Sequence, residues 1–356
     1  MTGAAGGGRR QYQLATPAEV DELATILRQA TESRLNVQVV GGGTRQGYGS
    51  PPEPDLVLDM SGLSGIEEWD PDDLTVTVGA GTPVAELESA LAGRSQTAVL
   101  PEVPGKSTVG GVISAGVSSL RRGRLLGTRE RMLEVRLVTG DGRVVRGGGR
   151  VVKNVSGYDL PRLVVGAFGS LGVITSVCLK LWPKPRAAAT VVIDDLEVAQ
   201  RVTRPLAVLD DDGVIRVFLW GTPEEVAATS ARLGGSISEG HRWPRDPEGR
   251  FRWSLRVPPA LTASAVGRLP GGWRYLAVHG AGDIRVGSDD SAGAGELRGW
   301  AEQMGGALVV VEAPKEALDG LDPWGSLPPG LEIQRRLIAQ FDPGRVINPG
   351  RLPGGL

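Results

Sequence analysis

The stretch from Val99 to Ile113, Val-Leu-Pro-Glu-Val-Pro-Gly-Lys-Ser-Thr-Val-Gly-Gly-Val-Ile, constrains this chain more than any other. Two prolines stiffen the approach and a hydroxyl pair follows. Gly110 and Gly111 carry no side chains, so the backbone there can lie against a ligand and present its N–H groups. That is a cradle for something anionic and flat. A Gly-rich turn alone names no ligand, so the flanking segments decide.

Ahead of it, Thr16-Pro17-Ala18-Glu19 reads as a capping box with Pro at the first helical position. Val20, Leu23, Leu27 and Ala30 then recur at helical spacing, which predicts a helix from 17 to about 32. The short strand Val37 to Val40 runs into Gly41-Gly42-Gly43-Thr44-Arg45-Gln46-Gly47, a strand, glycine turn, hydroxyl and basic residue in the outline of a phosphate-binding loop or of a plain flexible turn. It lacks the Gly-Lys-Ser/Thr ending of a Walker loop and the spacing of a Rossmann fingerprint. Asp55 to Asp59 and Leu74 to Val78 read as further strands. Gly79-Ala-Gly81 is the next turn, and a helix runs on through Leu91.

Beyond the central stretch, Arg121, Arg122 and Arg124 stand beside Gly123 and Gly127, facing either phosphates or, the commoner fate of such a run, solvent. Glu134 to Thr139 and Arg143 to Arg146 flank Gly140-Asp141-Gly142, a hairpin whose Asp-Gly supplies positive φ angles. Glycines at 166, 169 and 172 recur every third residue, for close approach to a ligand or for tight helix-to-strand packing. Trp182-Pro183-Lys184-Pro185 then reads as a domain boundary.

Composition closes off several classes of function. A formal charge of -2 with no long basic block argues against a nucleic-acid partner. No window of about 18 apolar residues suits a membrane span, and the N-terminus lacks the apolar core of a secretory signal, so a cytoplasmic chain is expected. One cysteine, Cys178, in an alternating strand pattern, excludes an internal disulfide or a self-contained iron–sulfur cluster and reads as a buried structural thiol. Only His241 and His279 are present. Glycine, 53 of 356 residues, is about twice its usual share and favours a loop-rich α+β protein.

Taken together, Val-Gly-Gly-Gly-Thr, Pro-Glu-Val-Pro-Gly-Lys-Ser-Thr-Val-Gly-Gly, Lys-Asn-Val-Ser-Gly-Tyr-Asp-Leu and Gly-Ser-Leu-Gly-Val-Ile-Thr resemble, in this order, the FAD-binding domain of the p-cresol methylhydroxylase type, the vanillyl-alcohol oxidase family. The tail Phe341-Asp-Pro-Gly-Arg-Val-Ile-Asn-Pro-Gly-Arg351 is similar to that family's closing segment. Within the family, the Lys-Asn-x-x-Gly-Tyr-Asp-Leu variant and the short length are most similar to the FAD-binding E subunits of bacterial glycolate oxidases.

The resemblance implies an α+β fold: a flexible leader over 1–14, a two-subdomain FAD-binding domain over 15–185, a reduced antiparallel-sheet cap over 186–330, and a segment over 331–356 that returns to the FAD domain. It implies FAD held by Gly41, Gly42, Gly43, Thr44, Arg45 and Gln46 at the pyrophosphate. Pro101, Gly105, Ser107, Thr108, Gly110, Gly111 and Ser114 follow along the pyrophosphate and flavin side, with Gly127 and Tyr158 also at the cofactor. Gly172, Val173 and Ile174 hold the adenine-ribose end, and Asn348 lies near the isoalloxazine. Some relatives tether the flavin through a His after the first Gly-rich loop; this chain has Thr44-Arg45-Gln46 there and no His before position 241, so FAD is expected to be noncovalent.

In the second half, strand-like runs at Thr190 to Ile193, Val214 to Trp220, Trp273 to His279 and Ala307 to Val311 alternate with helical patterns at Pro223 to Leu233 and Glu296 to Met304. Relatives that oxidise 2-hydroxy acids alone carry His-x-Gly-Asp-Gly-Asn-x-His, which binds a divalent metal; here Val278-His279-Gly-Ala-Gly-Asp283-Ile-Arg285 stands instead. A single imidazole is a poor metal site, so no metal is expected and His279 reads as structural. No catalytic residue is assigned. The resemblance implies a larger flavoprotein subunit and an iron–sulfur subunit as partners, a small 2-hydroxy acid as substrate, and peripheral contact with the inner membrane only through those partners. The competing readings are a self-sufficient alcohol or hydroxy-acid dehydrogenase with Tyr158, Asp283 or Arg285 near the flavin, and a non-catalytic scaffold.

Overall fold

The computed structural model describes residues 12–50, 53–103, 105–150, 157–318 and 322–356. The segment Lys153 to Ser156 of the third motif lies outside them, as does most of the leader. Parallel strands β1 (Gln13–Ala15), β2 (Val37–Val40) and β3 (Leu56–Asp59) form a small sheet in the order β1-β3-β2. The helix Val20–Ser33 lies on it, burying Leu23, Ala24, Leu27 and Ala30 on the stripe that the 3.6-residue period predicts. The expected capping box does not form. The helix starts three residues later than position 17, with no side-chain cap at Glu19, and the Ala18 N–H instead donates to the Glu22 carboxylate at 2.9 Å.

A second sheet is antiparallel. Strands β4 (Ile66–Asp70), β5 (Thr75–Gly79), β6 (Gln96–Thr97), β7 (Met132–Val138), β8 (Val144–Gly148), β9 (Val173–Lys180) and β10 (Trp182–Pro183) follow in the chain, and five of them pair in the order β4-β5-β9-β7-β8. The helices Val84–Ala92 and Val109–Ser114 seal its core, with Leu87, Leu91, Val109 and Ile113 against Val78, Val135, Leu137 and Val177. The β7–β8 hairpin forms where expected. Of its two turn residues, only Gly142 takes a positive φ, while the Asp141 carboxylate accepts from the Thr139 hydroxyl and pairs with Arg143.

The second half is one eight-stranded antiparallel sheet. Its strands are β11 (Ala187–Ile193), β12 (Ala207–Asp211), β13 (Val214–Gly221), β14 (Ser236–Glu239), β15 (Phe251–Arg256), β16 (Arg274–His279), β17 (Asp283–Ser288) and β18 (Ala307–Glu312), in the order β14-β11-β13-β12-β16-β17-β15-β18. Helices Pro223–Leu233 and Ala294–Gln303 cover one face, over Val191, Val217, Trp253 and Leu308. The other face meets the first half through Leu209, Phe218, Leu276 and Val278 packed on Val99, Leu120 and Leu125. Because successive side chains of a strand point to opposite faces, His279 is turned away from that contact. It lies 3.9 Å from Asp210, whose carboxylate accepts the Tyr275 hydroxyl at 3.1 Å.

The chain then returns. Helix Leu331–Phe341 packs Ile338 on Leu171, and the following segment runs beside β2 through a parallel bridge between Val37 and Ile347. Val37 donates to the Val346 carbonyl and Asn348 donates back to the Val37 carbonyl. The buried Asp342 carboxylate accepts the Ile347 N–H at 2.8 Å, and the Gly140 backbone comes so close that a Cβ there would lie 2.0 Å from that carboxylate. Among the described residues no helix is long and apolar enough to cross a membrane.

Cys178, in β9, is 1% exposed, and burial pushes its thiol pKa up. It is expected to react with Ellman's reagent at least ~100-fold more slowly in the native protein than in guanidinium, where one thiol per chain appears; equal rates would mean that β9 is open.

Candidate functional site

Four segments far apart in sequence meet at one open cleft. They are the turn after β2, the start of helix Val109–Ser114, the Gly-rich run into β9, and the returning tail. The cleft is lined by Gly41, Gly42, Gly43, Thr44, Arg45, Gln46, Thr108, Gly110, Gly111, Ser114, Gly172, Val173, Ile174 and Asn348, each singled out from the sequence.

Glycine is needed in the first turn for a steric reason. A Cβ on Gly42 would sit 1.5 Å from the Lys106 carbonyl oxygen and one on Gly41 2.1 Å from the Thr108 hydroxyl, so this turn lies backbone-to-backbone on the central stretch. The Thr44 and Ser107 hydroxyls, 3.0 Å apart, tie the two together. Gly43 has φ +68°, and no acceptor among the described residues meets the backbone N–H groups of Gly42, Gly43 and Thr44. Such a row of free amides is a nest for an anion.

Gly110 and Gly111 work differently from the expectation. The Gly110 N–H is committed to the Ala80 carbonyl at 2.8 Å, and the Gly111 N–H faces the Thr108 hydroxyl, the helix cap, at 3.3 Å. Gly110 is instead required for packing, since a Cβ there would lie 2.7 Å from that of Ala80. The glycine triplet divides in the same way: Gly166 packs against Gly116, Gly169 lines the cleft, and Gly172 lines it too, its missing side chain leaving room for Leu137.

The tail supplies two polar groups. Asn348, at φ +47°, donates its amide to the Phe168 carbonyl at 2.7 Å and accepts from Val39 N–H at 3.0 Å. Arg351 is 5% exposed, and burial pulls its guanidinium down to about 10. It donates to the Arg45 carbonyl at 2.8 Å and lies 5.7 Å from the centre of the Phe168 ring, yet among the described residues no carboxylate pairs with it. A buried cation with no counter-charge beside free amides fits an anionic ligand. Val39, Met60, Ala80, Ala115, Phe168 and Gly169 complete the walls, giving apolar surface for a ring system. A diphosphate joined to a flat ring therefore suits the residues present.

The remaining candidates lie elsewhere. Pro101 is buried, and Gly105 is exposed. Gly127 gives its N–H to the Glu130 carboxylate at 3.0 Å, and Tyr158 is 90% exposed. Arg121 pairs with Glu102 at 2.7 Å and Arg124 donates to the Arg204 carbonyl, so neither reaches the cleft. Of the residues not singled out, Arg351 carries a signal in the tail motif itself; Met60 and Phe168 carry none.

A second cavity adjoins the first and shares Arg45 and Ala115 with it. Its other walls include Arg252, Ser254, Asp283 and Arg285 from the eight-stranded sheet.

Comparison with known proteins agrees with this geometry. A family model described as FAD binding domain matches residues 13–148. Glycolate oxidase subunit GlcE of Escherichia coli strain K12 is 28% identical over 355 residues, covering 94% of this chain and 98% of that protein. Glycolate oxidase subunit GlcD of Bacillus subtilis is 35% identical over 191 residues, 51% of this chain but only 40% of that protein. The structure of alkyldihydroxyacetonephosphate synthase superposes with a TM-score of 0.67 at 13% identity, over 94% of this chain and 75% of that one, a likeness of fold. Residues 13–148 are thus an FAD-binding domain of the p-cresol methylhydroxylase type, with FAD the cofactor that the comparisons support.

Proposed function

We propose that this chain is the FAD-holding subunit of a glycolate-oxidase-type complex. In it a small 2-hydroxy acid is oxidised at its CH–OH carbon, and electrons leave through a larger flavoprotein subunit and an iron–sulfur subunit. The observation that carries the reading is the meeting of free amides and an uncompensated buried arginine in one cleft, in a chain that matches a glycolate oxidase subunit along nearly its whole length.

In this reading the amides of Gly42, Gly43 and Thr44 hold the diphosphate, and Gly41, Arg45 and Gln46 complete that turn. Thr108, Gly110, Gly111 and Ser114 form the facing wall; Gly172, Val173 and Ile174 hold the far end, and Asn348 fixes the wall nearest Arg351. Bound FAD supplies the two-electron acceptor that side chains lack. Arg351 contributes the positive charge, and the apolar walls keep water from the ring. The cofactor is held noncovalently, since the first loop offers Thr44-Arg45-Gln46 and no imidazole. Ser107 acts by holding Thr44.

A self-sufficient dehydrogenase is the second reading, favoured by Asp283 and Arg285 in the cavity that adjoins the cleft. Anaerobic addition of glycolate or D-lactate separates the two. Bleaching of the flavin band only when the larger flavoprotein is present supports the complex; bleaching of the isolated chain overturns it in favour of the second reading. Acid precipitation is expected to release all flavin into the supernatant. Gly42→Ala is expected to weaken FAD binding at least ~100-fold with the circular dichroism spectrum unchanged. Arg351→Met should weaken it by about 10- to 100-fold, the scale of one lost charge-assisted contact. Unchanged FAD dissociation constants in both variants would remove the cleft from the cofactor.

A further inference from the structure

Strands β15 and β17 obey a strict alternation. Phe251, Trp253, Leu255, Ile284 and Val286 enter the core beneath the helices, and the opposite set is Arg252, Ser254, Arg256, Asp283 and Arg285. A polar strand face is ordinarily left to water. This one instead looks across the second cavity at Arg45, Tyr48 and the turn at Ala115 to Ser118. Four arginines line that space against two aspartates, Asp246 and Asp283.

The arginines differ in how they are matched. Arg252 pairs with Glu312 at the rim. Arg285 donates to the Asp246 carboxylate at 2.5 Å and to the Ser118 carbonyl at 3.1 Å, which joins the eight-stranded sheet to the first half of the chain. Arg45 is served poorly: its nearest carboxylate oxygen is the second one of Asp246, 3.8 Å away, and its buried Nε meets no acceptor. Two guanidiniums from different halves of the chain thus converge on one carboxylate, and it satisfies only one of them.

That carboxylate comes from an irregular segment between β14 and β15. The segment is anchored upstream by His241 against the Leu219 carbonyl, by Arg242 N–H on the Thr190 hydroxyl and by Trp243 stacked on Phe218 at 4.1 Å. Downstream, Glu248 and Gly249 press on the backbone of Gly287 and Ser288. Asp246 lies between the two anchorages, so its side chain can leave the arginines while the sheet stays intact.

We propose that the second cavity is a binding site for a small carboxylate anion, with Arg45 and Arg285 as its two anchoring cations, and that Asp246 occupies it in the free chain as a built-in competitor. An incoming carboxylate, free of the tether, faces both guanidiniums at hydrogen-bonding distance, which Asp246 does not. The proposal deepens the flavoprotein reading by naming the class of ligand beside the cofactor. Arg45 also lines the cofactor cleft, so filling this cavity shifts the spectrum of a bound flavin.

The test is titration of the flavin-loaded protein with oxalate, a carboxylate that cannot be oxidised as an alcohol. Binding is read by calorimetry at fixed ionic strength and by flavin difference spectra. Asp246→Ala and the isosteric Asp246→Asn are each expected to bind oxalate at least ~10-fold more tightly than the unsubstituted chain, and adding Arg285→Met should abolish the gain. Folded variants that bind no more tightly than the parent, or that keep the gain without Arg285, overturn the proposal; should the alanine variant not fold, the asparagine variant decides. Calorimetry reads the site with or without flavin, whereas a chain purified without flavin counts against the functional reading alone.

Discussion

The side-chain amide of Asn348 holds together the three pieces of chain on which the cleft depends. Its oxygen accepts from Val39 in β2, its nitrogen donates to Phe168 ahead of β9, and its own backbone N–H is bound to Val37. A buried amide left without partners is costly, so satisfying both ends of this one sets the spacing between the first sheet, the second sheet and the tail. Asn tolerates the left-handed conformation, here φ +47°, that such a clasp requires. The position of Arg351, three residues on, follows from that anchorage.

The backbone contact between the Gly41–Gly42 turn and the Lys106–Thr108 segment works with that clasp. Because neither turn glycine has a Cβ, the two loops approach closely enough that the amides of Gly42, Gly43 and Thr44 point into open space. The arrangement leaves donors free on one wall and a cation without a partner on another. Free donors and an uncompensated cation facing one cleft are the arrangement that an anionic ligand would complete.

Charge is also divided by the period of the strands. At its β12–β13 end, the sheet face turned towards the first half is apolar and sealed by Leu209, Phe218 and Val278; at its β15–β17 end the same face is ionic and encloses a cavity. One surface thus both fastens the halves together and leaves a polar chamber beside the glycine-lined cleft. Arg45 belongs to both spaces, so charge in either one is felt in the other.

Local features were legible. The stripe Leu23, Leu27, Ala30 follows from the repeat that a helix imposes on its neighbours, and β5 is a strand as read, though buried on both faces rather than half-buried. Glycine at 41, 42, 110 and 172 signals close approach, because no other residue permits it. What each glycine approaches was not legible: Gly42 meets a backbone carbonyl, whereas Gly110 meets Ala80 and has its N–H already spent. The Thr16–Glu19 box was likewise not borne out: the helix begins at Val20, and it is Glu22 that accepts from the Ala18 N–H.

The sequence by itself thus determined that the chain is α+β, which glycine turns and tail residues were candidates for one shared cleft, and that it carries one cysteine and two histidines. Only the tertiary structure decided that Arg351 lacks a counter-charge while Arg121 has one, that Tyr158 stands outside, and that Asp246 sits between Arg45 and Arg285. Propensity and period act over a few residues, whereas compensation of a charge or an amide depends on which group arrives from hundreds of residues away.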